Sequence, residues 1–227
     1  MSLLKIGLIT VVYPFYYAYL WVLDAPIYRR YPLLIWIECQ MGIYYFFLYP
    51  FFRHLLEKIK TKKDLSELVY GETPYATLEL ALDTIRSYCS DFPKKMVFFD
   101  LGCGKGKLVF YMAHRYGIPS IGIDIIPTFI RYASSLSSRF LDLPATFLNQ
   151  DILETDLSEG TLFFMASTCF LDTTHAKLSH CFSLLPKGIW LICTGAPIHH
   201  SDFEIIQEWQ PHFSWGKGYL VLQRKTV

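Results

Sequence analysis

Two long apolar stretches stand at the start of the chain. Residues 6–23 are eighteen positions without a charge, and residues 31–52 are twenty-two positions interrupted only by Glu38 and Gln40. Each stretch is long enough for a helix that crosses a bilayer, which takes about 20 apolar residues. The polar segment 24–30 between them predicts a turn. The pattern therefore predicts an N-terminal hydrophobic helical hairpin.

The hairpin has two interpretations. Tyrosine and tryptophan are frequent in both stretches, as at a membrane interface, and the basic segment 53–63 follows them. This interpretation predicts that residues 1–58 are a membrane anchor in contact with lipid and that residues 59–227 are a cytoplasmic domain, so the protein would be membrane-associated. In the alternative, the two helices pack on the domain that follows, which Glu38 inside the second stretch favours.

From about residue 64 the pattern changes to that of an α/β domain. Apolar runs bounded by turn residues alternate with segments of helical periodicity. This alternation predicts a doubly wound, mostly parallel sheet of the Rossmann-like type. Strands are predicted at 96–101, 120–124, 145–149, 161–166, 188–194 and 219–224, and helices at 78–89, 107–116, 128–140, 175–185 and 203–209.

Composition and charge narrow the classes of function. The 227 residues are enough for one ordinary domain with an appendage, but two full domains are not expected. A net charge of +1 creates no field that attracts nucleic acid, and no nucleic-acid partner is expected. The six cysteines are scattered without a C-x-x-C pair, which indicates reduced thiols and not a disulfide scaffold.

A glycine-rich turn carries the first chemical signal. Gly102, Gly104 and Gly106 follow the first predicted strand of the domain and open a helix. Glycines let the backbone turn tightly and approach a ligand, while free N–H groups at the helix start face it. Asp124 ends the next strand, 22 residues beyond Gly102. A carboxylate at that place can accept hydrogen bonds from ribose hydroxyls.

Asp100 distinguishes between two kinds of cofactor. It precedes Gly102 by two positions, where a carboxylate repels a pyrophosphate but can pair with the ammonium group of a methionine moiety. S-adenosylmethionine carries that ammonium group and no phosphate. The residues therefore predict an S-adenosylmethionine-dependent class I methyltransferase, with a nicotinamide oxidoreductase as a distant alternative.

The residues after the third strand of the domain extend the predicted cofactor site. Asp151 and Ile152 follow the strand at 145–149, at the carboxyl edge of the sheet. Asp151 can accept a hydrogen bond from the adenine amino group, and Ile152 can pack on the ring. The alternative is an ordinary exposed carboxylate in a turn.

Between residues 64 and 196 the chain resembles a named family. The run 69–74, Val-Tyr-Gly-Glu-Thr-Pro, precedes a helix and lies about 25 residues upstream of the glycine-rich turn. It is similar to the disruptor-of-telomeric-silencing family, the lysine methyltransferases that lack a SET domain. The resemblance implies that this loop closes over the cofactor and brings Tyr70, Glu72 and Thr73 to the site. Alternatively, Tyr70 is a packed aromatic residue and Glu72 caps the next helix.

The sequence departs from that family after the fourth strand. Where the family has an Asn-Asn-Phe run that lines a lysine channel, residues 166–170 read Ala-Ser-Thr-Cys-Phe. Methyl transfer needs a sulfonium methyl group and a deprotonated amine held in line, about 3 to 3.5 Å apart, away from water. Glu72, Ser167 and Thr168 are the candidate catalytic residues, because they can orient the amine or pass its proton to water.

Other possible sites carry weaker signals. His199, His200, Asp202 and His212 lack the spacing of a zinc-ligand motif, so a polar loop is preferred and no metal is expected. Ser167 is not in a Gly-x-Ser-x-Gly elbow, which argues against a hydrolase.

Besides the distant oxidoreductase alternative, the sequence leaves three functions open. The first is a membrane-tethered methyltransferase that acts on a lysine of a nearby protein. The second has the same chemistry but a small or lipid-like methyl acceptor. The third is a noncatalytic scaffold subunit that binds the cofactor, which the altered run at 166–169 keeps open.

Overall fold

A seven-stranded sheet forms the centre of the protein. The computed structural model describes residues 3–43, 71–140 and 142–227. The sheet has the strand order β3-β2-β1-β4-β5-β9-β6, and β7 and β8 form a separate hairpin. The strands are β1 (Phe98–Leu101), β2 (Ser120–Asp124), β3 (Ala145–Asn149), β4 (Leu162–Ala166), β5 (Trp190–Thr194), β6 (Phe203–Trp209), β7 (His212–Phe213), β8 (Gly216–Lys217) and β9 (Leu220–Lys225).

The pairing of the strands places the candidate site. Strand β1 pairs in parallel with β2 on one side and with β4 on the other, so the chain order reverses beside β1. In open α/β sheets, ligands bind at such a switch point, outside the carboxyl ends of the strands. Asp100 lies near the end of β1 and Asp124 at the end of β2. Both carboxyl groups therefore lie at the edge where a ligand is expected.

Helices cover both faces of the sheet. Alternate residues of each strand point to opposite faces, so Phe98 packs in a core that includes residues of α3 and α4, while Phe99 packs in a core that includes residues of α6. The prediction of a doubly wound, mostly parallel sheet is confirmed. The helices are α1 (Leu3–Arg30), α2 (33–43), α3 (Tyr75–Tyr88), α4 (Lys107–Tyr116), α5 (Pro127–Ser137) and α6 (Asp172–Ser183).

One predicted element of the domain is wrong in type. Residues 203–209 were expected to form a short helix, but they are strand β6, which pairs antiparallel with β9. Glu204, Gln207 and Glu208 suit a helix by propensity. The edge of β9 that does not pair with β5 offers a ladder of backbone hydrogen bonds to this segment. Such tertiary pairing decides the conformation of a segment with mixed propensity.

The N-terminal segment differs from the predicted hairpin. The predicted turn at 24–30 is wrong, because α1 continues without interruption to Arg30 and α2 begins after two further residues. Arg29 and Arg30 lie exposed in the last turn of α1, where cations favour the helix dipole. The predicted hairpin is not confirmed. Within the described parts of the chain, no helix combines the length and apolar character that crossing a membrane needs.

Helices α1 and α2 pack on the α/β domain. Tyr28 and Leu34 belong to the core that contains α3 and α4, and Ile37 and Met41 pack with Phe110 of α4. The described part of this segment therefore follows the alternative interpretation, in which the helices lie against the domain. The predicted boundary between residues 58 and 59, and the second stretch beyond residue 43, lie outside the described residues.

Candidate cofactor site

The glycine turn joins β1 to α4. Gly102, Gly104 and Gly106 all have positive φ angles, of 85°, 53° and 85°, a conformation that other residues adopt only with strain. A Cβ atom at Gly106 would lie 2.3 Å from the Phe147 ring, whereas one at Gly102 would meet no atom within 4 Å. The turn is therefore packed behind Gly106 and open at Gly102, where a ligand can approach the backbone.

Asp124 closes the turn from the neighbouring strand. Its Oδ2 accepts a hydrogen bond of 2.8 Å from the Gly104 amide, and its Oδ1 accepts one of 2.8 Å from the Ile126 amide. Each carboxylate oxygen keeps a further lone pair that can accept a ribose hydroxyl. Burial raises the pKa of Asp124 to about 6, against the two amide hydrogen bonds that lower it.

Asp100 is a buried carboxyl group without a partner in the described chain. Its side chain is 4% exposed. Burial, together with the nearby charge of Asp124, raises its pKa to about 8, and no hydrogen bond from a described residue offsets these effects. A cationic group placed here would stabilise the charged carboxylate. The position therefore suits the ammonium group of S-adenosylmethionine, and the residues present fit this cofactor.

The loop 71–74 lies beside the turn. Glu72 Oε1 is 3.1 Å from Lys105 Nζ, so the carboxylate is paired with a lysine of the glycine turn. The alternative expectation that Glu72 caps the next helix is wrong, because the first amides of α3 bind Asp24 of α1. Thr73 is buried in the same loop, and Tyr70 lies outside the described residues.

The hairpin of β7 and β8, here called the C-terminal hairpin, holds this loop from the other side. The Glu72 amide donates to Ser214 Oγ at 2.6 Å, and the Ser214 amide donates to the Glu72 carbonyl at 3.0 Å. A Cβ atom at Gly71 would lie 2.3 Å from the Trp215 ring. Trp215 in turn stacks on Phe213 with ring centroids 4.6 Å apart. The loop is therefore fixed by close backbone and aromatic contacts.

Asp151 and Ile152 follow β3 at the carboxyl edge of the sheet, next to the end of β2. Asp151 Oδ1 accepts a hydrogen bond of 2.9 Å from the Leu153 amide, which shapes the turn after β3. Ile152 is buried in the core on the α6 side of the sheet. Between β2 and β3, Asn149 donates to the Asp124 carbonyl at 2.9 Å, which links these strand ends.

Ser167 and Thr168 occupy different environments. Ser167 is buried, and its Oγ lies 2.8 Å from the Thr194 carbonyl and 3.0 Å from the Ala196 carbonyl. Its proton is thus directed to the end of β5, although the oxygen can still accept. Thr168 is exposed and packs against Gly195. Asp124 is linked to the glycine turn by a hydrogen bond, and Glu72 is linked to it by an ion pair. The Ser167 hydroxyl instead donates a hydrogen bond to the end of β5.

Three residues near the site were not predicted from the sequence. Lys105 and Lys107 stand inside and just after the glycine turn, and a lysine next to a predicted carboxylate site was a usable signal. Lys107 Nζ lies 3.0 Å from Glu38 and 3.5 Å from Asp24. Asp24 gave no signal, because the Tyr75 amide that it binds is 51 positions away in the chain.

A sequence model of the methyltransferase domain matches residues 93–210, which is more than half of the chain. The chain belongs to the methyltransferase domain family. The predicted class, an S-adenosylmethionine-dependent class I methyltransferase, is confirmed.

Two solved structures resemble this methyltransferase in fold. An RNA methyltransferase from Salinibacter ruber, in complex with S-adenosyl-L-homocysteine, has a TM-score of 0.54 at 20% identity, over 68% of this chain and 93% of its own. The magnesium protoporphyrin IX methyltransferase of Synechocystis PCC 6803, with S-adenosylmethionine bound, has a TM-score of 0.50 at 17% identity, over 71% of this chain and 89% of its own. At such identities the likeness shows the fold.

One curated relative is similar in sequence. A histone-lysine N-methyltransferase of Dictyostelium discoideum, specific for lysine 79 of histone H3, is 36% identical to this methyltransferase over 105 residues. The match covers 40% of this chain and only 6% of the relative.

Proposed function

We propose that this methyltransferase binds S-adenosylmethionine at the glycine turn and transfers the methyl group to a lysine amine of a protein. The observation that carries the proposal is the Asp100 carboxyl group, buried at the open side of the turn without a partner in the described chain. A buried carboxylate without a partner costs stability unless a cation joins it. The ammonium group of the cofactor is that cation.

The remaining residues of the turn have separable tasks in this proposal. Asp124 accepts the ribose hydroxyls while its existing amide hydrogen bonds hold it in orientation. Gly102 leaves space for the methionine moiety against the backbone. Thr73, which is buried, closes the site from the loop 71–74. Asp151 and Ile152 bound the adenine side.

The reaction asks the protein to position an amine and to take up a proton. When bound, S-adenosylmethionine supplies an electrophilic methyl group on a sulfonium. In this proposal Glu72, which is paired with Lys105, holds the incoming amine and accepts its proton, directly or through water. The Ser167 oxygen can still accept a hydrogen bond while its proton is donated to the Thr194 carbonyl, and Thr168 offers an exposed hydroxyl.

A lysine acceptor is supported by the relative that is 36% identical, which is a methyltransferase specific for lysine 79 of histone H3. A small or lipid-like acceptor is the second candidate. Apolar side chains on the outer side of α1 and α2 favour it, because Phe15 is 74% exposed, Val22 68% and Ile43 54%. Exposed apolar and aromatic side chains of this kind suit contact with a lipid surface.

The deciding experiment has two steps. Calorimetric titration of the full chain with S-adenosylmethionine should show binding, and a titration without heat would contradict the proposal. Labelled methyl groups are then followed into separated proteins and lipids of a cell extract. Label in protein lysine would support the lysine acceptor, and label in lipid would support the lipid-like acceptor. Binding of the cofactor without transfer to either would favour the noncatalytic scaffold interpretation.

The role of Glu72 has its own test. Glu72→Gln keeps the shape of the side chain but removes the base, so turnover should fall by about 10²-fold or more, in line with the usual contribution of a general base. Glu204→Gln, an exposed substitution on β6, is the matched control. Full turnover in Glu72→Gln would remove this residue from the reaction.

A further inference from the structure

Helix α3 takes its N-terminal cap from another part of the chain. Pro74 precedes the helix and provides no side-chain cap. Instead, Asp24 of α1 accepts hydrogen bonds from the Tyr75 amide at 3.1 Å and from the Ala76 amide at 2.8 Å, one on each carboxylate oxygen. The Asp24 side chain is only 2% exposed. Because α3 starts directly after the loop 71–74, Asp24 fixes the end of that loop.

The same carboxylate contacts the other wall of the cofactor site. Asp24 Oδ2 lies 3.5 Å from Nζ of Lys107, the residue that follows Gly106 of the glycine turn. Lys107 Nζ also lies 3.0 Å from Glu38 Oε1 of α2 and 4.4 Å from the centre of the Tyr75 ring. One buried lysine thus holds both N-terminal helices and the start of α3 to the turn.

We infer that Asp24 and Lys107 are positioning residues of the cofactor site, and that α1 and α2 form part of its supporting wall. Asp24 sets the distance between the loop 71–74 and the glycine turn, since it bonds to the first amides after the loop and to the first side chain after the turn. The inference rests on the proposed function, because its main consequence is the affinity for S-adenosylmethionine.

A second bridge between the same two segments is weaker. Glu72 and Lys105 are paired at 3.1 Å, but their side chains are 23% and 11% exposed. Two long side chains at a partly hydrated site hold a distance less well than a buried carboxylate with two backbone donors. The Glu72 bridge therefore adjusts to the position that Asp24 sets.

The test compares the cofactor affinity of folded variants of the full chain. In Asp24→Ala, the Kd for S-adenosylmethionine, measured calorimetrically at a temperature where circular dichroism shows a folded protein, should rise about tenfold or more. Asp24→Asn keeps one acceptor oxygen and should give an intermediate Kd. Asp24→Asn also serves as the variant to measure where Asp24→Ala does not fold.

Two controls separate positioning from general stability. Leu178→Ala opens a cavity under α6, on the opposite face of the sheet, so it should lower Tm without changing Kd. In a double-mutant cycle, Asp24→Ala and Lys107→Met should be strongly non-additive in Kd, because each removes the same link. Additive effects would mean that the two residues act separately and would overturn the link.

Hydrogen exchange gives a readout without cofactor. Amides of residues 72, 73, 75 and 76 should exchange about tenfold faster in cofactor-free Asp24→Ala than in the wild type, while those of α6 stay unchanged. A folded Asp24→Ala protein with wild-type Kd and wild-type exchange would overturn the inference and leave the proposed function intact. A wild-type protein that does not bind S-adenosylmethionine would instead overturn the proposed function, and the exchange rates would still decide the positioning role.

Discussion

The glycine turn and the loop 71–74 form two walls of one site but are stabilised in different ways. The turn is closed by residues close in the chain, since Gly104 binds Asp124 only 20 positions away. The loop is held by Asp24, which binds the amide of Tyr75 51 positions away, and by Ser214, which lies 142 positions from Glu72. A local motif therefore specifies one wall, and tertiary packing specifies the other.

The two walls also differ in charge balance. Asp100 and Asp124 on the turn side have raised pKa values and no described cationic partner. On the loop side, Glu72 pairs with Lys105, and Asp24 shares Lys107 with Glu38. The turn side therefore favours a cationic ligand, while the loop side is largely neutralised within the protein. We expect substitutions on the turn side to change cofactor affinity most.

The largest effect is expected at Asp124. Asp124→Ala removes the acceptor for the ribose hydroxyls and also releases the Gly104 and Ile126 amides. Loss of several hydrogen bonds to a charged group, each worth about 1.5 to 3 kcal/mol, should weaken S-adenosylmethionine binding by about 10²-fold or more in calorimetry. Asp156→Ala, at an exposed position, should bind normally. An Asp124→Ala protein with unchanged affinity would place the cofactor elsewhere.

Asp100 should make binding depend on pH. Its pKa is raised to about 8 in the cofactor-free protein, so the group is mostly protonated at pH 6 to 7 and must release its proton to pair with an ammonium group. Affinity should therefore increase nearly tenfold as pH rises from 6 to 7, a range in which an α-amino group stays protonated. Calorimetry in two buffers of different ionisation enthalpy should detect release of about one proton.

The same proton affects stability with the opposite sign. Because the folded pKa lies above the ordinary value of 3.8, the cofactor-free protein should lose stability as pH rises from about 4 to 8. Asp100→Asn should flatten both profiles and weaken binding. Profiles that keep their slope in Asp100→Asn would assign the titration to another group.

A smaller effect is expected on the loop side, at Gly71. In Gly71→Ala the new Cβ atom would lie 2.3 Å from the Trp215 ring, so the loop or the indole must move. Affinity should fall about three- to tenfold, within the range of a steric change of about 1 kcal/mol. Adding Trp215→Ala should restore part of it, and a double variant weaker than Gly71→Ala alone would contradict this account.

The smallest effect is expected at Ser167. Ser167→Ala leaves the Thr194 and Ala196 carbonyls without this donor, which should cost about 1 kcal/mol of stability in denaturant unfolding. Cofactor affinity should stay within twofold of the wild type. A loss of turnover much larger than the loss of stability would support a catalytic role for Ser167.

The difference between the walls also explains what the sequence predicted. Strands β2 and β3 and helix α4 have the predicted bounds, because short apolar runs between turn residues are local signals of buried strands and of the helices between them. The glycine spacing and Asp124 belong to the same local pattern. The placement of Gly104 against Asp124 agrees with it.

Features that depend on distant partners were not predictable. Segment 24–30 was polar enough to suggest a turn, yet Asp24 is buried in a helix because amides of α3 and Lys107 surround it. Segment 203–209 became a strand because β9 pairs with it. In both cases the deciding contact lies outside the window of sequence in which propensity is read.

The connection between α1 and the C-terminal hairpin has a consequence for folding order. The Tyr16 hydroxyl donates to the Phe213 carbonyl across 197 positions of sequence, and closing so long a loop has a high entropic cost. The glycine turn can form from neighbouring segments soon after collapse. During refolding, the far-ultraviolet signal of helices should therefore return before the ability to bind S-adenosylmethionine, which appears only when the first helix meets the last hairpin.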